Sequence, residues 1–310
     1  MNLFGIVSNS LFLSDMEIRN YVSTIPRRYK RYSIPKRNGI EFRIIAQPAK
    51  QVKVLQRIVL PFLQQIIPIH GNAHAYEKNK SIKTNALVHS KNEYLLKMDF
   101  KNFFLSIKPN DFIDIMKKHE IKITDDDKFI IENLFFWKLT RRSPLRLSIG
   151  APSSPFISNA VMYFFDEIIS HECEALDVKY TRYADDLTFS TNVKDILFLV
   201  PKIVKGVLKS SGLKNIKINT NKTVFSSKKF NRHVTGITLT NDGEVSLGRE
   251  RKRVISVRIH YFTLGLLSTD DILKLKGDLG FAKFIEPEFI YRMERKYGLE
   301  NIEKLRKFMG

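Results

Sequence analysis

Cysteine is nearly missing from this chain. Cys173 stands alone among 310 residues, which excludes an internal disulfide framework and any multi-cysteine zinc site. A lone thiol of this kind reads as a small apolar residue in a reducing compartment. Long apolar runs are missing too. The two most apolar stretches, Ile58–Ile69 and Ile196–Leu208, are interrupted by Pro61, Gln64, Pro201 and Lys202. Neither supplies the roughly 20 apolar residues of a membrane span. The opening MNLFGIVSNSLFLSD has neither a basic n-region nor a small-residue cleavage site, so a cytoplasmic protein is expected. No period of roughly 20–50 residues recurs, which excludes solenoids and propellers. Acidic residues are the last shortage: 32 Asp and Glu face 52 Lys and Arg, leaving +20 at pH 7. Such an excess points to a polyanionic partner, nucleic acid or an anionic membrane surface.

What remains is the composition of a globular protein. Hydrophobic residues make up 43% and charged residues 27%, with 11 Pro and 14 Gly, which excludes disordered and collagen-like chains. The length accommodates one large domain or two or three small ones. Arg27–Ile45 (RRYKRYSIPKRNGIEFRII) is densely basic, and Pro35 with Asn38-Gly39 divides it into two extended arms and a turn. It reads as a basic hairpin, either a binding surface or an edge guarded by its own lysines and arginines. Tyr94–Asp99 (YLLKMD) predicts a buried strand ending on an aspartate. Ser153-Ser154-Pro155 is a helix start, and Ile157, Ala160, Val161, Phe164, Ile168 and Ile169 follow at helical spacing. Lys179–Ser190 (KYTRYADDLTFS) predicts strand, tight turn and strand around Ala184-Asp185.

Ile196–Leu208 predicts a further helix, closed by Ser211-Gly212. Lys214–Asn219 and His233–Thr240 read as extended, with a turn at Asn241-Asp242-Gly243. From Arg249 the chain turns basic and helical (RERKRVISVRIHYF) and runs to Gly310 as a small separate lobe. The order strand, helix, hairpin, helix, strand matches a split βαβ plan, an α+β fold with helices on one face of an antiparallel sheet.

That topology sets Asp99, at a strand end, beside Asp185 and Asp186 in the hairpin turn. Three carboxylates so gathered repel strongly unless a cation lies between them. Two divalent ions about 3.5–4 Å apart neutralise such a cluster and stabilise both oxygens of an in-line phosphoryl displacement. Oxygen donors with few nitrogen or sulfur neighbours favour Mg²⁺. An Asp-Asp pair in a hairpin is by itself most often only a turn. The upstream strand bearing Asp99 and the intervening helix are what make it a candidate site.

With these residues in view, the sequence resembles the reverse transcriptases, and among them the retron reverse transcriptases of bacteria. Tyr183-Ala184-Asp185-Asp186 matches the YADD turn of the family. Met98–Ser106 (MDFKNFFLS) matches its first catalytic motif, an Asp followed by two aromatics and a Ser. Leu147–Pro155 (LSIGAPSSP) resembles the segment that lines the nucleotide pocket and opens the palm helix. Asn85-Ala86-Leu87-Val88-His89 fits the NAxxH signature of retron enzymes, and Val234-Thr235-Gly236 their VTG signature. The matches run in order from about Lys36 to Gly236; the tail from Arg249 matches in character only.

The resemblance implies a right-hand polymerase, with fingers over residues 1–90 and 107–150, palm over 91–106 and 151–245, and thumb over 246–310. It implies that Asp99, Asp185 and Asp186, with the Phe100 carbonyl, hold two Mg²⁺ ions. Phe104 falls at the steric gate that excludes a 2′-hydroxyl, with either Phe103 or Phe104 expected in the core. Lys36 and Arg43 fall where the fingers contact the triphosphate, Arg37 being able to stand in for Lys36, and Gly150 lies in the nucleotide pocket. Lys222 aligns with the lysine that protonates the leaving pyrophosphate. Asn85, His89, Val234, Thr235 and Gly236 become candidates for RNA recognition. Arg249, Arg251, Lys252, Arg253 and Arg258 suggest a thumb gripping duplex phosphates. His74 and Tyr76 lie in a family-like segment without an assigned role.

Two positions depart from the family pattern: Ser148-Ile149-Gly150 replaces Pro-Gln-Gly, removing a polar contact near the incoming sugar, and Asn102 replaces an Asp. The implied activity is RNA-directed DNA synthesis: dNTPs are added on a cognate structured noncoding RNA from a guanosine 2′-hydroxyl, giving a branched product. A role in defence against phage with a separate effector protein is also implied, and no membrane partner. Two other readings are an intron-like or other defence-associated reverse transcriptase and an inactive RNA-binding scaffold. The NAxxH and VTG segments argue against the first, and the intact aspartates against the second.

Overall fold

Helices α1 (Leu3–Leu11) and α2 (Asp15–Thr24) open the computed structural model, which describes residues 1–35, 39 and 41–308. The basic segment that follows is the expected hairpin. Strands β1 (Tyr29–Pro35) and β2 (Phe42–Pro48) pair antiparallel, from Tyr29 opposite Pro48 to Pro35 opposite Phe42. This ribbon forms its own two-stranded sheet and is exposed along most of its length. Its base is anchored where Ile45 and Ala46 are buried and the Ala46 N–H donates to the Ile149 carbonyl at 2.9 Å.

Helix α3 (Lys50–Ile66) packs Val52, Leu55, Val59 and Leu63 inward, and α4 (Ile82–Ser90) follows after an irregular stretch. Strand β3 (Tyr94–Lys101) runs through the middle of the main sheet; Leu95, Leu96, Met98, Asp99 and Phe100 are all buried. Burial on both faces makes it a near-continuous apolar run rather than an alternating one. The short helix α5 (Phe103–Ser106), α6 (Pro109–Lys118) and α7 (Asp125–Phe135) follow.

The helix expected from Ser153 is broken. It forms α8 (Ser154–Val161) and α9 (Tyr163–Glu174), separated at Met162, whose ψ of 1° lies outside the helical range. Cys173 is buried in α9 and burial pushes its thiol up to about 12, in keeping with an inert apolar residue. Strands β4 (Lys179–Tyr183) and β5 (Asp186–Thr191) form the predicted tight hairpin. The next apolar segment splits into a single 3₁₀ turn, Ile196–Phe198, and α10 (Val200–Ser210), with Pro201 in the first turn where its missing N–H costs nothing. Only Lys217–Ile218 of the extended segment before Asn219 forms a strand, β6, while β7 (Val224–Ser227) adds a second partner for β3. The main sheet therefore runs β4-β5-β3-β6, with β7 also on β3, antiparallel throughout.

His233–Thr240 is two short strands rather than one. β8 (Arg232–Val234) and β9 (Ile237–Leu239) fold back at Thr235 and Gly236, with φ of 48° and 80°. With β10 (Val245–Ser246) they make a separate three-stranded sheet. Helices α11 (Arg249–Thr263), α12 (Thr269–Ile285), α13 (Pro287–Tyr297) and α14 (Leu299–Lys307) pack on it around Ile255, Ile259, Leu275, Leu279, Phe289 and Ile302. Ala86 of α4 and Leu95 of β3 join this second core, while the main core lies around β3, β5, α7, α8 and α9. Among the described residues no helix is long and apolar enough to cross a membrane.

Candidate active site

The register of β3 against β5 sets Asp99 directly opposite Asp186. The Phe100 N–H donates to the Asp185 carbonyl at 3.0 Å, which makes Asp99 and Asp186 a pair not bonded to each other through the backbone. In such pairs the side chains stand closest, with Cα atoms about 4.5 Å apart. Asp185 completes the group from the two-residue turn. Ala184 there takes φ 57°, as a two-residue hairpin loop requires of at least one residue. The Arg182 Nη1 steadies it by donating to the Ala184 carbonyl at 3.1 Å.

Gathering the carboxylates costs energy, and the cost is visible in their proton affinities. Burial, then the charges of Asp185 and Asp99, push the Asp186 carboxyl up to about 6. Burial and Asp99 raise Asp185 in the same way. Lys222 Nζ lies 2.8 Å from Asp99 Oδ2, and Asn219 Nδ2 donates to Asp99 Oδ1 at 3.1 Å. The hydrogen bond to Asp99 is the main reason Lys222 holds its proton more firmly than a free lysine. Lys222, Lys97 and Arg43 only partly offset the three carboxylates, since Asp185 and Asp186 both remain raised. An all-oxygen donor set with excess negative charge is what a hard divalent cation prefers. Among the described residues no three His, Cys, Asp or Glu side chains are already gathered as ligands, and both Asp99 oxygens are engaged, by Lys222 and Asn219. The donor types fit a divalent ion; Asp99 would exchange its lysine for it.

Around the carboxylates the other predicted residues separate into walls and core. Phe103 is 2% exposed and stacks on Phe100 with centroids 5.7 Å apart. Phe104 is half-buried and meets Phe103 edge-on at 5.5 Å. Phe103 is thus the core residue of the two. Arg43 on β2 is exposed and close enough to Asp185 for its charge to draw that carboxyl downward. Gly150 has φ 116°, and a Cβ there would press on Ile45, Gln47 and the Ala46 carbonyl at 3.2–3.4 Å, so only glycine lets β2 approach this closely. Lys36 lies outside the described residues.

Behind the turn is a polar network that local pattern reading missed. Arg182 and Asp166 are both fully buried, with Nη2 to Oδ2 at 2.6 Å and Nε donating to both carboxylate oxygens. The Tyr180 hydroxyl donates to the same carboxylate at 2.7 Å, and Arg182 Nη1 donates to Asn159 Oδ1 at 3.0 Å. The available signal was an Asp at the apolar face of α9 and an Arg inside a strand between Tyr180 and Tyr183, each too costly to bury alone.

The expected RNA contacts at Asn85, His89 and Val234 require correction. All three are 0% exposed, so their side chains face the interior and not a bound RNA. His89 bridges two strands, with Nδ1 2.7 Å from Ser190 Oγ and Nε2 2.7 Å from Thr181 Oγ1. Burial, and then the charge of His74, drop its pKa to about 3, so the ring is neutral. Val234 packs in the same core as Ala86, and Thr235 Oγ1 donates to the Ile82 carbonyl at 3.3 Å. The two signatures therefore meet as a joint between the catalytic sheet and the C-terminal helices. Gly236 is exposed at the turn and Thr235 is half-buried. In the basic tail Arg249, Arg251 and Arg253 are exposed, Arg251 lying over the Phe281 ring at 4.7 Å. Lys252 is committed to Glu286 at 2.7 Å and Arg258 to Asp278 at 3.2 Å.

A split βαβ antiparallel sheet with carboxylates on adjacent strand ends, flanked by a finger-like ribbon and a helical lobe, defines a right-hand polymerase. A family model for reverse transcriptases (RNA-dependent DNA polymerases) matches residues 34–239. The chain is 49% identical over 282 residues to the retron Ec83 reverse transcriptase of Escherichia coli, covering 90% of each chain. It is 33% identical to the retron Ec73 reverse transcriptase of Escherichia coli over 306 residues, which is 96% of this chain and 95% of that one. The retron Ec86 reverse transcriptase of Escherichia coli matches at 27% over 312 residues, 98% and 93% of the two chains. The chain belongs to the reverse transcriptase family as a retron-type bacterial member, and its activity is RNA-directed DNA polymerisation.

Proposed function

We propose that the enzyme copies part of a cognate structured noncoding RNA into single-stranded DNA. It starts from the 2′-hydroxyl of a guanosine in that RNA and leaves a branched RNA–DNA product. Kinship with retron enzymes supports this reading. The observation that carries the chemistry is the convergence of Asp99, Asp185 and Asp186 at the β3–β5 strand ends.

Asp99, Asp185, Asp186 and the Phe100 carbonyl would hold two Mg²⁺, which supply activation of the attacking hydroxyl and neutralisation of the triphosphate. The protein's own groups do the rest. Arg43 offers the planar fork that clamps a phosphate through two hydrogen bonds, from the fingers ribbon that Gly150 allows to close on the palm. Lys36 is the second residue assigned to the triphosphate. Lys222, which Asp99 would release on taking up the metal, is the proton donor for the departing pyrophosphate. Phe104 sets its ring under the incoming sugar and excludes a 2′-hydroxyl, while Phe103 holds it from the core. Ile149 in place of a glutamine leaves the pocket with one polar contact fewer. Thr235 and Gly236 meet RNA at a turn that Asn85, His89 and Val234 support from the interior, and Arg249, Arg251 and Arg253 track duplex phosphates.

The same reading divides the chain into fingers (1–90 and 107–150), palm (91–106 and 151–245) and thumb (246–310). It places the enzyme in the cytoplasm with a separate effector protein, in defence against phage. The test is incubation of the purified protein with its RNA, dNTPs and Mg²⁺ beside an Asp185→Asn variant. The wild type makes DNA covalently joined to RNA, and the variant loses about 10²–10³-fold of that rate, as expected when a charge-stabilising group is removed. DNA synthesis that survives the substitution would overturn the assignment of the metal site.

A further inference from the structure

Between α3 and α4 the chain HGNAHAYEKNKS, residues 70–81, has no regular secondary structure, yet it is fastened closely. Ala73 forms a parallel bridge with Arg182 on the open edge of β4. The Arg182 N–H donates to the Asn72 carbonyl at 2.8 Å, and the His74 N–H to the Arg182 carbonyl at 2.7 Å. Lys80 Nζ ties the loop to itself by donating to the Ala73 carbonyl at 2.9 Å. From this frame one aromatic side chain projects. Tyr76 is 54% exposed, and its backbone sits in the left-handed region at φ 66°.

For a residue other than glycine that conformation costs roughly 1–2 kcal/mol, and strain of this kind persists where the surroundings over-determine it. Here the surroundings can be named. The buried Asn159 amide donates to the Ala75 carbonyl at 2.8 Å and to Glu77 Oε1 at 3.1 Å, gripping both neighbours of Tyr76. The other end of that amide accepts from Arg182 Nη1, which also holds the Ala184 carbonyl of the catalytic turn. One buried network thus fixes the mounting of Tyr76 and the turn that carries Asp185. Besides burial, the charges of Asp185 and Tyr183 raise the Tyr76 hydroxyl pKa and Arg43 lowers it, so the hydroxyl lies within reach of the charges of both the fingers arginine and the catalytic turn.

The sheet order gives the side. Phe104 follows β3 and Tyr76 rides on the edge of β4, with β5 and its aspartates between them. A nucleotide whose sugar lies on Phe104 has its paired base toward the other wall. An exposed aromatic face on a fixed backbone suits a base, because every base offers a π-face and stacking needs no sequence-specific hydrogen bond. We propose that Tyr76 is a template-contacting residue whose ring stacks on the RNA base opposite the incoming nucleotide. This rests on the polymerase reading of the same site.

The test uses the full-length protein on an RNA template with a DNA primer. Single-nucleotide insertion by Tyr76→Ala falls about 10–100-fold opposite an intact template base, as loss of one base–aromatic stack predicts, and Tyr76→Phe stays within about twofold. Opposite an abasic template position the Ala penalty shrinks to within about threefold, since the stacking partner is already gone. A 2-aminopurine placed at the templating position is quenched in the wild-type complex and brightens in Tyr76→Ala. Tyr76→Gly, which relieves the left-handed backbone, keeps or raises the melting temperature while losing insertion, and so separates the contact from folding. An equal Ala penalty on intact and abasic templates, or unchanged 2-aminopurine emission, overturns the proposal. So does a Phe variant as weak as Ala, which would transfer the role to the hydroxyl. Wild-type protein that inserts nothing at all would instead sink the polymerase reading.

Discussion

The β4–β5 hairpin and the helix packed beneath it hold two groups of carboxylates, and the fold treats them in opposite ways. Asp166 is sealed from solvent and fully matched: Arg182 meets it in a two-pronged ion pair and Tyr180 adds a hydroxyl. At the tip of the hairpin, Asp185 and Asp186 are crowded against Asp99 and pushed toward protonation, with Lys222 attached to Asp99 as counter-charge. A buried charge whose partner is built into the chain is a structural device. A cluster left short of positive charge is kept for something that arrives, and its instability is the capacity to bind it. Arg182 connects the two, because the guanidinium that neutralises Asp166 also holds the turn carrying Asp185.

The sharpest way to break this comparison is to neutralise one aspartate from each group. Asp186→Asn leaves the urea midpoint unchanged or higher, because it relieves repulsion that solvent on the open side only partly screens, yet it abolishes DNA synthesis. Asp166→Asn strands the Arg182 charge and costs about 3–5 kcal/mol of stability. Equal losses of stability in the two variants would erase the distinction. An apolar replacement of both partners, Asp166→Leu with Arg182→Met, recovers most of that stability. It does not restore synthesis, because the Ala184 carbonyl and Asn159 then lose their shared donor.

Acid separates a third buried polar group from the aspartates. Folded His89 is pushed down to about 3, whereas a free imidazole titrates near 6.5. Between those values the unfolded chain binds the additional proton. Stability is therefore complete above about pH 6.5 and falls as pH drops, by about 1.4 kcal/mol per unit. Urea unfolding at pH 7.5 and pH 5 measures this, and His89→Gln flattens the difference. A slope unchanged in the variant would move the sensitivity to His74, whose ring burial lowers to about 4. A smaller effect is expected at the pocket wall. Phe104→Ala admits ribonucleotides, with discrimination falling about 10–100-fold as the sugar loses its packing surface. Competition between dNTP and rNTP in one reaction reads it, and an unchanged ratio would place the gate elsewhere.

Much of the site was legible without coordinates. The YLLKMD strand, the KYTRYADDLTFS hairpin and the basic ribbon each carry their own local evidence, since turn residues and apolar runs act over a few neighbours. Helix ends were less legible: the breaks at Met162 and ahead of Pro201 answer to packing rather than to period. The VTG segment was misread as part of one strand, because Thr235 in a left-handed conformation is not signalled by its residue type.

What the amino-acid order determined alone is the inventory and spacing of the chemistry: three aspartates, an arginine-rich ribbon and a basic helical tail on a chain of +20. Strand and turn propensities were enough to place the aspartates at strand ends. Only the tertiary structure decided which polar residues point inward. His89 looks the same in sequence whether it touches RNA or spans β4 and β5, and its partners Thr181 and Ser190 lie 92 and 101 residues further on. Asp166, Asn159 and Arg182 likewise become a network only when the helices dock on the sheet. A buried polar group is stable only with partners in place, and distant segments supply those partners when the chain closes on itself.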